Sequence, residues 1–160
     1  MEIPYLSLKR ITAMHADELH AAAAAAIDSG WYLQGERIAA FESEYAAYCG
    51  ARHCIACANG LAALTLLLQA HKEMGLLQEG DEVIVPANTY IATILSITEN
   101  RLTPILVEPR IDTFQIDDRL IEQALTQRTK AVMLVNLYGY KAYTERIGDI
   151  CRRHGLLLFT

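Results

Sequence analysis

No stretch of this sequence reaches the roughly 18 consecutive apolar residues of a membrane-spanning helix. Its start, Met1-Glu2-Ile3-Pro4-Tyr5, lacks the basic segment and apolar run of an export signal. No membrane partner is expected, and the sequence reads as that of a cytoplasmic protein. Basic blocks are missing as well: 14 Lys and Arg stand against 19 Asp and Glu, and the formal charge of -5 comes from mixed signs spread along the chain. Nothing here would track a nucleic-acid backbone. With four prolines and nine glycines, no Pro-, Gly- or Ser-rich linker separates domains, and there is no internal repeat.

Glycine fingerprints are missing too. The turn at Asn59-Gly60 carries neither the Gly-Lys-Ser/Thr of a nucleotide-binding phosphate loop nor the second and third glycines of a dinucleotide turn. A generic nucleotide-binding α/β domain is therefore a weak alternative, which bound NAD in the purified protein would revive. Cysteine chemistry is thin as well. Cys54 and Cys57 lie in a segment that reads as a strand, His53–Cys57, where an odd separation sends the two thiols to opposite faces. Cys49 and Cys151 stand apart, so neither a metal site nor a disulfide is expected.

What remains is the composition of a globular core: 52% hydrophobic and 21% charged residues over a length that can bury one sizeable core. Arg10 to Ser29 is alanine-rich and predicted helical, ending at Gly30. Glu36 to Tyr48 carries Ile38, Phe41, Tyr45 and Tyr48 at helical spacing and stops at Gly50. Short apolar runs then alternate with helical patterns. The strands are expected at His53–Cys57, Glu82–Val85, Pro104–Val107, Ala131–Leu137 and Leu156–Phe159. The helices are expected at Leu61–Gly75, Tyr90–Glu99, Asp117–Leu125 and Tyr143–His154.

Strands as uniformly apolar as Val83-Ile84-Val85 and Val132-Met133-Leu134-Val135 need cover on both faces, and the helices between them are long enough for parallel crossovers. The fold class is α/β, with a mainly parallel sheet covered by helices on both faces. Residues 1–35 form an N-terminal arm, helix and turn; residues 36–160 form the α/β domain.

Ligands of such sheets sit beyond the carboxyl ends of the strands. Three loops there carry chemistry. In Ala58-Asn59-Gly60-Leu61-Ala62-Ala63, free amides at a helix start could hold a phosphate, though an ordinary tight turn has the same sequence. In Val85-Pro86-Ala87-Asn88-Thr89-Tyr90, the tyrosine either offers its face to a flat ring or anchors the helix to the core. Asn136-Leu137-Tyr138-Gly139-Tyr140-Lys141 places an amide, two phenols and an amine past a buried strand, either as a site or as a polar surface loop.

In order and spacing, these segments resemble the DegT/DnrJ/EryC1/StrS family of pyridoxal-phosphate-dependent sugar aminotransferases. The matching stretches are Ser29–Gly35 with Phe41-Glu42, Asn59–Leu64, Gly80–Pro86 with Asn88-Thr89-Tyr90, Val107-Glu108-Pro109, Thr129–Val132 and Leu137-Tyr138-Gly139. The resemblance runs from about Pro4 to Leu158. Gly60-Leu61 and Val107-Glu108-Pro109 are similar to the branch acting on dTDP-linked 3-keto-6-deoxy sugars.

The resemblance implies the N-terminal part of the large domain of a fold-type I pyridoxal-phosphate enzyme. It implies that the amides of Gly60 and Leu61 cradle the cofactor phosphate, with Leu61 lacking the hydroxyl that many relatives supply as threonine. It implies that Tyr90 stacks on the pyridine ring. Asn136, where relatives often carry histidine, is a possible cofactor or substrate contact.

The residues that do the chemistry in the family are expected beyond Thr160: an aspartate at the pyridine nitrogen, the Schiff-base lysine and a serine at the phosphate. None is assigned as catalytic in this chain, and weak or absent cofactor retention is expected of it alone. The implied reaction moves an amino group from an amino acid, expected to be glutamate, onto a keto sugar nucleotide, in a homodimer or swapped oligomer. Alternatives are a fragment of a related sugar dehydratase and a non-catalytic remnant. The sheet is expected to be incomplete, with His53–Cys57 short of its neighbours.

Overall fold

The computed structural model describes residues 5–160. Two compact units make up the chain, one reaching to Ala56 and the other running Cys57–Thr160.

The first unit holds three helices: α1 (Leu8–Met14), α2 (Ala16–Ser29) and α3 (Glu36–Cys49). Gly30 and Gly50 end α2 and α3 in the left-handed conformation, at φ 64 and 66, where a side chain would be strained. The single helix expected over Arg10–Ser29 is instead broken at His15, at φ -129 and ψ 23. Alanine supplies propensity, but no residue of α1 or α2 is buried, so no packing holds the two segments in line.

The second unit carries α4 (Gly60–Glu73), β1 (Glu82–Pro86), α5 (Ile91–Glu99), β2 (Thr103–Val107), β3 (Thr129–Met133), α6 (Glu145–His154) and β4 (Leu157–Phe159). The strands form one wholly parallel sheet in the order β2-β1-β3-β4. Side chains alternate between its faces. Ile84 and Val132 point to one side, into a core with Ile147, Ile150 and Cys151 of α6. Val83, Val85, Ala131 and Met133 point to the other, packing with Leu68 of α4 and Ile97 of α5. Cover on both faces is why these strands are apolar at successive positions, and the expected α/β class holds.

Two expected elements are absent. His53–Cys57 forms no strand and stays out of the sheet; Ile55 is 84% exposed, and the Ala56 amide donates to Glu42 Oε1 at 2.7 Å. An apolar run becomes a strand only where a partner takes its backbone groups. Asp117–Leu125 is a run of turns with one 3-10 turn at Glu122–Ala124. Asp117 explains its start: its carboxylate accepts from the Arg119 amide at 3.0 Å and from the Arg119 guanidinium at 2.6 Å. Such local side-chain bonds compete with helix formation. The guanidinium holds the Asp117 carboxyl down at about 2.

At the amino end of β1, Glu82 is 2% exposed. It accepts from Thr126 Oγ1 at 2.6 Å, Arg128 Nη2 at 2.8 Å and Thr129 Oγ1 at 3.1 Å. This cluster fastens β1 to the segment entering β3, at the end of the sheet away from the loops that follow the strands. All four cysteines are free thiols. Among the described residues no helix is long and apolar enough to cross a membrane.

Candidate cofactor site

In an open parallel sheet the ligand crevice opens where adjacent strands send their connections to opposite faces. Here β1 and β3 are neighbours. The chain leaves β1 for α5 on one face and β3 for α6 on the other. The loops flanking this point are Ala87–Tyr90 and Leu134–Lys141.

Polar links set α4 against α5. Asn100 Nδ2 donates to Thr65 O at 3.1 Å, Lys72 Nζ to Asn100 O at 2.8 Å and Thr65 Oγ1 to Glu99 Oε2 at 3.0 Å. Leu68 and Ile97, both fully buried, fill the seam between the helices and the sheet. With the helices so fixed, their amino ends border one open cavity of about 800 Å³, lined by Asn59, Gly60, Leu61, Leu64, Tyr90 and Ile91 among others.

Asn59 caps α4, its Oδ1 accepting from the Ala62 amide at 3.0 Å. The Ala63 amide donates to Asn59 O. That leaves the amides of Gly60 and Leu61 without an acceptor among the described residues, at the positive end of the helix. A Cβ at Gly60 would meet nothing within 4 Å, so its own fold does not require a glycine there, and backbone can be approached closely. Replacing Asn59 with Ala should cost about 0.5–2 kcal/mol of stability through loss of the cap, measured as a shift in the urea midpoint; an unchanged midpoint would show that the cap does not hold α4.

Tyr90 sits at the start of α5, 77% exposed, and lines the same cavity as Gly60 and Leu61. It is not a core anchor. Asn136 lies across the crevice and does not line that cavity. Its Oδ1 accepts from the Ala142 amide at 2.9 Å, which closes the β3 loop, and the residue is exposed. Lys141 is exposed, with Nζ 5.2 Å from the centroid of the Tyr143 ring.

Gly60, Leu61 and Tyr90 are thus brought together and Asn136 stands apart. Two further residues serve this region: Asn88, whose motif was recognised but whose bond was not, and Gln115, which no motif marked. Asn88 Nδ2 donates to Phe114 O at 3.0 Å, and Gln115 Nε2 donates to Leu137 O at 3.2 Å. Neither bond has a signal in periodicity or spacing, since each depends on where a hairpin after β2 folds back.

The fold and these residues define a parallel α/β domain in which two helix-start amides without an acceptor among the described residues and an exposed tyrosine border one cavity. The chain belongs to the DegT/DnrJ/EryC1/StrS aminotransferase family, whose pattern matches residues 13–160. It is 48% identical over 154 residues to the dTDP-3-amino-3,6-dideoxy-alpha-D-galactopyranose transaminase of Aneurinibacillus thermoaerophilus, covering 96% of this chain and 41% of that protein.

Among solved structures it is similar to S. venezuelae DesV, with a TM-score of 0.89 and 40% identity over 98% of this chain and 41% of that one. It is also similar to the E. coli GDP-4-keto-6-deoxy-D-mannose-3-dehydratase with bound hydrated PLP, with a TM-score of 0.82 and 28% identity over 87% of this chain and 36% of that one. The chain spans about two-fifths of the length of the curated relatives it matches, as their N-terminal portion. The family named by the motifs is the family found.

Proposed function

We propose that this chain is the cofactor-cradling N-terminal portion of a pyridoxal-phosphate-dependent aminotransferase that transfers an amino group from an amino acid, with glutamate the expected donor, to a keto sugar nucleotide. The observation that carries the proposal is the single cavity shared by Gly60, Leu61 and Tyr90 in a chain of this family. The transaminase relative supports the dTDP-linked 3-keto-6-deoxy branch.

The described residues fit the cofactor at two points. The Gly60 and Leu61 amides bind its phosphate, and the open space over Gly60 lets the phosphate come close; Leu61 contributes an amide but no hydroxyl. Tyr90 covers the ring and excludes water from one face. Asn136 presents Nδ2 from across the crevice to cofactor or substrate. When bound, the cofactor supplies a carbonyl that exchanges the amino group and a ring that accepts electrons. The whole enzyme works as a cytoplasmic homodimer. Supporting that assembly, α2 buries none of its residues, and Phe41 and Tyr45 of α3 are half exposed, so apolar surface awaits cover.

Lys141 is not given the covalent role. It is exposed in a loop, without the apolar burial that makes a lysine nucleophilic. Borohydride reduction of the chain with pyridoxal 5'-phosphate, followed by peptide mapping, should leave sparse label spread over Lys9, Lys72, Lys130 and Lys141. Stoichiometric label confined to Lys141 would contradict this assignment and place the covalent step on this chain.

A further inference from the structure

Two consecutive residues of the hairpin after β2 hold the two loops that flank the crevice. Phe114 O accepts from Asn88, two residues before Tyr90. Gln115 donates to Leu137 O, one residue after Asn136. The hairpin is itself closed: Pro109 bridges Ile116, and the Arg110 amide donates to Gln115 O at 2.8 Å, as does the Phe114 amide to Arg110 O. Ile116, 3% exposed, roots it in the core.

Gln115 is 7% exposed, and the orientation of its carboxamide follows from chemistry. Its Nε2 faces two carbonyl oxygens, Leu137 O at 3.2 Å and Thr113 O at 3.5 Å. Exchanging the amide's oxygen and nitrogen would set an acceptor against two acceptors. Oε1 is buried and has no donor among the described residues.

The loop that Gln115 holds is under backbone constraint. Tyr138, next to Leu137, has φ 55 and Gly139 has φ 80. A side-chain-bearing residue keeps a left-handed conformation where its surroundings over-determine it. Here the constraints are the Gln115 bond at Leu137 and the Asn136–Ala142 bond at the far end.

We propose that Gln115 is a positioning residue of the candidate site. Through Leu137 it sets the β3 loop bearing Asn136, and through the hairpin it ties that loop to the Asn88 loop bearing Tyr90. The spacing of Tyr90 and Asn136 is thereby fixed by two side-chain amides. The functional meaning of that spacing rests on the cofactor reading above; the mechanical coupling does not.

The test is an amide-resolved NMR comparison of the full chain with Gln115→Glu and Gln115→Met, without ligand. In Gln115→Glu, the carboxyl bonds Leu137 O only when protonated, and burial against two carbonyls raises its titration above that of a free carboxyl. The Leu137–Ala142 amides should therefore match wild type below that midpoint and be displaced above it, with Tyr90 and Ile91 moving at the same midpoint. Wild type should lack that transition, and Gln115→Met should remain displaced at every pH.

Displacements confined to residues 113–116, or wild-type spectra in both variants, would overturn the proposal. Should the Gln115 variants fail to fold, Asn88→Ala provides the reciprocal test: its Leu137–Ala142 amides should shift, and unchanged ones would overturn the coupling. These spectra contain no phosphate compound. The cofactor reading fails separately, if pyridoxamine 5'-phosphate shifts residues elsewhere while the wild-type Gly60 and Leu61 amides stay unmoved.

Discussion

Replacing Ile84 with Ala should destabilise the Cys57–Thr160 unit by about 2–5 kcal/mol, the range for removing a large buried aliphatic side chain. Ile84 is fully buried at the centre of β1, in register with Ile105 on β2 and Val132 on β3. Its side chain packs in the core roofed by Ile147 and Ile150 of α6. Truncation leaves a void that a parallel sheet hydrogen-bonded on both sides of β1 cannot close. Since whole domains hold only about 5–15 kcal/mol, the urea midpoint should fall steeply. A midpoint within experimental error of wild type would mean that β1 is not the centre of the core.

Glu82→Gln should cost about 1.5–3 kcal/mol at neutral pH, because it removes charge-assisted hydrogen bonds from a buried carboxylate. Thr126 first, then Thr129 and Arg128, hold the Glu82 carboxyl below its ordinary range, against burial, which pushes it up. A lowered folded-state value means that the contribution is fully present above the unfolded carboxyl's value of about 4.3. It is lost as pH falls through the lower folded value. The wild type should therefore lose more stability on acidification than Glu82→Gln. Equal loss in both proteins, followed by urea unfolding across the acidic range, would remove Glu82 from the account.

The sheet was legible because burial on both faces makes successive residues apolar. Val83-Ile84-Val85 and Val132-Met133 advertise that burial without reference to anything distant. The loops bearing Tyr90 and Asn136 were legible by consequence, since a parallel sheet places ligands at the carboxyl ends of such strands; the Asn59-Gly60 turn follows no strand and was legible only as a helix start. His53–Cys57 misled because its composition is that of a strand while its backbone partner, Glu42 Oε1, is a side chain. Asp117–Leu125 misled because the Asp117–Arg119 pair takes over the local backbone. The alanine run before Ser29 carried propensity across His15 without the packing needed to keep one helix.

At the site, the paired loops carrying Gly60 and Tyr90 could be read, because one helix start and one aromatic suffice to suggest them. The distinction between Tyr90, which lines the cavity, and Asn136, which does not, required the geometry. So did Gln115 and Asn88. Their bonds span 22 and 26 residues, and no local pattern encodes a carbonyl that far along the chain.

The central claim is that Gly60, Leu61 and Tyr90 form one cofactor cradle, and its most direct test is titration of the isotope-labelled chain with pyridoxamine 5'-phosphate, which cannot condense with lysines. A phosphate at a helix start gains up to about 2 kcal/mol and ring stacking about 0.5–1.5 kcal/mol, short of the roughly 4.1 kcal/mol of a millimolar complex. The expected result is joint movement of the Gly60, Leu61 and Tyr90 signals in fast exchange, with affinity no tighter than about millimolar. Pyridoxamine lacking the phosphate should leave Gly60 and Leu61 in place, and Tyr90→Ala should weaken binding about 2- to 10-fold. Unmoved Gly60 and Leu61 signals, while residues elsewhere shift with the same ligand, would contradict the cradle.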